Sequence, residues 1–184
     1  MIVKAPEERF STAPEGTFPA VCVDIVDLGM VENKFDPEAA DRLMCRVVWQ
    51  IDEQDDSGKP YMVRADYTAS LHEKAKLRKV LESWRGRAFT PQELFGFDLE
   101  TVVGSGCLLN VVHATGSRGG TFANVGAVMK LAKGMTAPAP KGYTRVKDRA
   151  PEAPKPPQQR PERIAHEQEP PAYAHGITDE DVPF

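Results

Sequence analysis

The chain has 184 residues and a formal net charge of −4, which suits one domain with an extension or two very small domains. The acidic balance excludes binding to polyanions through bulk charge and leaves a local basic groove as the route to nucleic acid. Cys22, Cys45 and Cys107 stand far apart in apolar runs, with no CxxC or Cys/His metal spacing, so buried thiols in a reducing cytosol are expected.

Met1 to Ser11 carries Lys4, Glu7, Glu8 and Arg9 and no long apolar run. It reads as neither a signal peptide nor a membrane span, and a cytoplasmic location is expected. Residues 1–16 are taken as an N-terminal extension. Thr17 to Leu28 then alternates, with Val21, Val23 and Ile25 assigned to one side. Leu43 to Glu53 alternates more cleanly. Leu43, Cys45, Val47, Trp49 and Ile51 face one way, and Met44, Arg46, Val48 and Gln50 face the other, the period of a half-buried strand. Asp55-Asp56-Ser57-Gly58-Lys59-Pro60 forms a turn. Tyr61 to Ala69 completes a hairpin, with Tyr61 and Tyr67 on the Val63 face. Trp49, Tyr61 and Tyr67 are expected in the core.

Ser70 and Glu73 fit a capping box. Leu77, Val80, Leu81 and Trp84 follow at helical spacing, and Gly86 suits a left-handed stop. Thr90-Pro91-Gln92-Glu93 starts a second, short helical turn. Cys107 to Ala114 is the fourth strand, Gly116 to Gly120 a loop, and Thr121 to Leu131 the fifth strand. From Met135 onward, 10 of 50 residues are proline and large apolar residues thin out, so 135–176 reads as a disordered linker. Residues 177–184 form an acidic tip.

The expected class is therefore mainly β: a five-stranded, OB-fold-like barrel over 17–134, with a helix between strands 3 and 4 and a disordered tail. That element order binds oligonucleotides on strands 2–3 and on the 1–2 and 4–5 loops. Single-strand binders pair basic grooves with aromatic platforms. The candidate contacts are accordingly Lys34 and Phe35 in the 1–2 loop, Arg46 and Arg64 on the face opposite the apolar set, Arg118 in the 4–5 loop, and Phe122 at the start of strand 5. The basic run Lys74, Lys76, Arg78, Lys79, Arg85 and Arg87 reads as a solvated helix face. Arg145, Lys147 and Arg149 are read as linker cations that touch DNA weakly or pair with the acidic tip.

The last six residues are Asp179-Glu180-Asp181-Val182-Pro183-Phe184. Phe184 offers a ring and a free carboxylate together, which an apolar pocket with an arginine would hold. Pro183 lowers the ordering cost, and the three acids would speed encounter with a basic rim. About 40 residues of flexible chain give a reach of roughly 35 Å. This ending resembles the acidic tip of bacterial single-stranded-DNA-binding proteins, with Glu180 for Asp and Val182 for Ile. The resemblance implies recruitment of replication and recombination proteins. Residues 18–134 are also similar to a family of small phage and prophage proteins assigned as single-strand binders. The residues that carry this likeness are Ser70-Leu71-His72-Glu73-Lys74, Leu77-Arg78, Trp84-Arg85-Gly86-Arg87, Phe89-Thr90 and Phe97-Asp98-Leu99. It implies sequence-tolerant single-stranded-DNA binding in phage replication or recombination, and a bacterial host cytoplasm.

No phosphate loop, dinucleotide fingerprint, HExxH or GxSxG is present. His72, His113, His166 and His175 do not cluster, and Asp52, Glu53, Asp55 and Asp56 sit in a turn. No enzymatic activity, cofactor or metal is expected, and no membrane partner. Barrel edges offer a route to self-association. The competing reading is an OB-like protein-interaction adaptor that does not bind DNA.

Overall fold

The computed structural model describes residues 12–32, 40–116 and 119–149. Lys34, Phe35, Arg118 and the tip Asp179–Phe184 lie outside the described residues. Five strands are present: β1 (Gly16–Val31), β2 (Arg42–Gln54), β3 (Pro60–Thr68), β4 (Gly106–Thr115) and β5 (Thr121–Lys130). All pair antiparallel in one sheet, in the order β3-β2-β1-β4-β5. The hydrogen-bonded ladder ends at β3 and β5, although these edges come within 8 Å of each other between Cα atoms.

Helix α1 (Lys76–Arg85) lies between β3 and β4 in the chain and packs against the edges β3 and β5. It buries Leu77, Leu81 and Trp84, the stripe expected from helical spacing. Trp84 meets Trp49 with ring centroids 6.0 Å apart, and its indole N–H donates to the Gly106 carbonyl at 2.9 Å. The helix ends on Gly86 at φ 68°, with the Gly86 and Arg87 N–H groups closing onto Ser83 and Glu82 carbonyls, the left-handed stop that glycine permits without a Cβ clash. The capping box at Thr90 also forms, opening α2 (Pro91–Phe95).

The capping box expected at Ser70 does not form. The Ser70 hydroxyl accepts from the His72 N–H, and His72 Nδ1 accepts from the Lys74 N–H. These local bonds hold 70–75 in turns, and α1 begins after Ala75, which has no side-chain acceptor. A short polar side chain that finds a nearby backbone donor diverts the chain from helix.

The inner face of the sheet holds Cys22, Cys45, Val47, Trp49, Ile51, Val63, Tyr67, Leu109 and Val111 around the helix stripe, with Tyr61 packed against them. The alternation of β2 is as read for Cys45, Val47, Trp49 and Ile51, while Leu43 at the strand's start is exposed. That of β1 is not as read. Cys22 pairs with Trp49 and Asp24 with Val48, so Val23 is an extra residue in a β-bulge. Two residues opposing one shifts the strand's facing. Val21 and Val23 face outward around the inward Cys22, and beyond the bulge Asp24 also faces outward while Ile25 packs inward.

The three cysteines are free and buried. Burial pushes the Cys22 and Cys107 thiols up to about 12 and Cys45 to about 11, so the thiolate, the reactive form, is scarce at neutral pH. No helix among the described residues is long and apolar enough to cross a membrane.

The described chain continues past Gly134, where composition puts the start of the linker. Residues 135–149 cross the outer face of β1 and β2. Ala137 and Tyr143 cover Val21, Val23 and Val48. Ala137 sits so close to Gly106 that a Cβ there would come within 2.5 Å of it. Composition misleads here because few apolar residues suffice when the sheet supplies the other half of the apolar contact and paired polar anchors.

Candidate nucleic-acid interface

Across β1, β2 and β3 the outward residues line up in rows. One row is Asp24, Val48 and Arg64; the next is Val26, Arg46 and Asp66; beyond it lie Gly29, Met44 and Thr68. Arg46 and Arg64 thus project from the face opposite the core, as the alternation predicts. Arg46 is not a free cation. It grips Asp66 with two hydrogen bonds of 2.6 and 2.8 Å. The hydrogen bond raises the Arg46 pKa and lowers that of Asp66. Arg64 is exposed and has no carboxylate partner among the described residues.

Asp66, Met44 and Thr68 also line a cleft of about 620 Å³ between the β2–β3 ribbon and the start of α1. Its cations are Arg42, Lys74 and Lys76, joined by His72 and the Ser70 hydroxyl. Arg42, Lys74 and Lys76 are all exposed. Because His72 Nδ1 accepts from the backbone, Nε2 is the nitrogen left to donate. The first turn of α1 carries no acidic residue and no side-chain cap, so its N–H groups keep their partial positive charge. The single acid of the cleft, Asp66, is held by Arg46 and also feels Arg64. A cationic surface therefore runs from Arg64 over Arg46 into the cleft, with Met44 and Met62 as its apolar part.

The basic run on and after the helix divides. Lys74 and Lys76 are exposed, as the solvated-face reading has it, and line the cleft. Arg78 binds Glu82 and the Leu71 carbonyl. Arg85 and Arg87 both bind Glu93, and Arg85 lies over the Phe89 and Phe97 rings. Phe122 stands on the outward face of β5 and is 58% exposed. Its ring lies over Gly116, on the edge strand at the other end of the ladder. Asp55, within the acidic run, is taken up by its own turn, accepting from Ser57 and Lys59. His113 Nε2–H donates to the Ala13 carbonyl at 2.8 Å.

Two of the linker cations, Arg145 and Lys147, form ion pairs within the fold, while Arg149 donates only to the Thr144 carbonyl among the described residues. Asp24, 1% exposed, accepts from Arg145 Nε at 2.9 Å, the Val146 N–H at 2.8 Å and the Tyr143 hydroxyl at 3.0 Å. Burial pushes its carboxyl upward; the Val146, Arg145 and Tyr143 hydrogen bonds outweigh that and hold it below the usual range. Arg145 and Lys147 also bind Glu100. Gln50 brackets the same segment, donating to the Ala139 carbonyl and accepting from the Lys141 N–H.

Sequence reasoning passed over Asp24, Tyr143 and Arg42. A carboxylate inside the apolar run Val21–Val26 was a usable signal, since a charge in a strand needs a partner. So was the aromatic-basic cluster at 143–149 in a stretch otherwise poor in large side chains. No protein-family model matches the chain, and no curated protein matches it.

Proposed function

We propose that the chain binds single-stranded DNA without strong sequence preference, along the outer face of β2–β3 and into the adjoining cleft. The carrying observation is the run of exposed cations, Arg64, Arg42, Lys74 and Lys76, that have no salt-bridge partner among the described residues. Phosphates would meet these cations and the α1 N-terminus, while Met44 and Met62 offer apolar contact to bases. The strand order, with a helix packed where β3 and β5 approach, supports reading the sheet as an OB-type barrel. The C-terminal hexapeptide is proposed to recruit replication or recombination proteins.

The test is fluorescence anisotropy with oligo(dT) at low salt. Arg64→Ala and the double variant Lys74→Ala/Lys76→Ala should each weaken binding and flatten the salt dependence by about 0.7 per lost contact. Arg46→Ala should cost more than one contact, because it also unmasks Asp66. No retention of oligo(dT) at low ionic strength would leave the protein-interaction adaptor as the better reading.

A further inference from the structure

We propose that residues 137–149 form a second wall of the strand-binding groove, and that Tyr143 and Arg149 make a slot for one nucleobase. This rests on the reading that the β2–β3 face binds single-stranded nucleic acid. The surface under the segment would repel a polyanion: it carries the carboxylates of Asp24 and Glu100 beside Val21, Val23 and Val48. The segment covers it and reverses its sign. Residues 135–149 hold four cations, Lys141, Arg145, Lys147 and Arg149, against one acid, Asp148. Arg145 answers Asp24 and Glu100, and Lys147 answers Glu100. Lys141 and Arg149 are exposed and have no carboxylate partner among the described residues.

Tyr143 has the geometry of a stacking platform. Its hydroxyl is tied to buried Asp24, and its ring packs on the valine cluster, so it cannot swing away. The Arg149 guanidinium lies over the ring, 5.4 Å from its centroid. The Asp24 that holds the hydroxyl stands in line with Arg64 across the sheet and one row from Arg46, which sets the platform beside the groove. A base entering between ring and guanidinium gains stacking on one side and a cation–π contact on the other. The exposed Arg149 side chain yields to admit it and stays within reach of a phosphate.

The experiment uses the full chain with two strands of equal length, oligo(dT) and an abasic strand, read by anisotropy at low salt. Tyr143→Leu should weaken oligo(dT) binding about tenfold and leave the abasic strand unchanged. Tyr143→Phe keeps the ring and should stay within about twofold of wild type. Arg149→Ala should weaken both strands and reduce the salt slope by about 0.7. If Tyr143→Leu and Arg149→Ala match wild type while Arg64→Ala weakens oligo(dT), the groove stands and the slot is overturned. If Tyr143→Phe loses as much as Tyr143→Leu, or Tyr143→Leu weakens both strands equally, the ring serves only to hold the segment down, and the slot again falls. If wild type retains neither strand, the slot falls together with the proposed function.

Discussion

Asp24 shows how one side chain sets the limits of this domain. A carboxylate removed from water costs several kcal/mol unless hydrogen bonds and an opposite charge replace the solvent. Here three donors do so, all from residues 143–146. Asp24→Asn keeps the shape but loses the charge, and leaves Arg145, itself only partly exposed, without its main partner. We expect a loss of about 2–3 kcal/mol in urea unfolding. The pH dependence has a definite sign. The folded carboxyl titrates below its unfolded value of about 3.9, so its contribution is complete above that pH and is lost as pH falls through the folded pKa. Asp24→Asn should therefore have a shallower acid limb than wild type, and equal slopes would show that the carboxylate contributes nothing. Arg46 and Arg64 teach a different lesson. Alternation was enough to place both on the outer face. Whether each was free depended on Asp66, which stands opposite Arg46 only because β2 and β3 pair in this register.

Among the elements, the segment 135–149 departs furthest from its sequence reading. Periodicity detects an element that packs by a repeating stripe, and this segment has none. It is held by point contacts: Ala137 at Gly106, Gln50 on its backbone, and Tyr143 and Arg145 at Asp24. A chain ending at Gly134 would expose Val21, Val23 and Val48 and leave Asp24 unpaired. We expect it to be less stable than a chain ending at Ala150 by on the order of 2–4 kcal/mol, measured by thermal or urea unfolding. Equal stability of the two truncations would mean that the segment rests on the sheet without supporting it. The bulge at Val23 belongs to the same account. It turns Asp24 outward, beside Val21 and Val23, and the segment is what covers the valines and pairs the carboxylate. By contrast α1, the Gly86 stop and the Thr90 capping box were legible because each follows from residues within one or two turns of chain.

At the scale of the molecule, the proposed division of labour separates a strand-binding domain from a recruiting tip. In that proposal the cations of the domain meet phosphates and the acids of the tip meet partner proteins. Deleting Val182, Pro183 and Phe184 should leave the oligo(dT) affinity unchanged and abolish capture of purified replication or recombination proteins in a pull-down. Loss of DNA affinity on that deletion would show that the tip belongs to the DNA interface instead. Of the linker cations, Arg145 and Lys147 answer Asp24 and Glu100, whereas Arg149 has no carboxylate partner among the described residues.

The sequence by itself determined the mainly-β class, the five strands and their helix, and the inward set on β2. These follow from period, local capping and composition, which act over a few neighbouring residues. Only the tertiary structure decided the facing of β1 beyond its bulge, the pairing of Arg46 with Asp66, and the grouping of Arg42, Lys74 and Lys76 in one cleft. It also decided that residues 135–149 belong to the fold. Each of these joins residues 20 or more apart in the chain, where register and burial, not local preference, choose the partner.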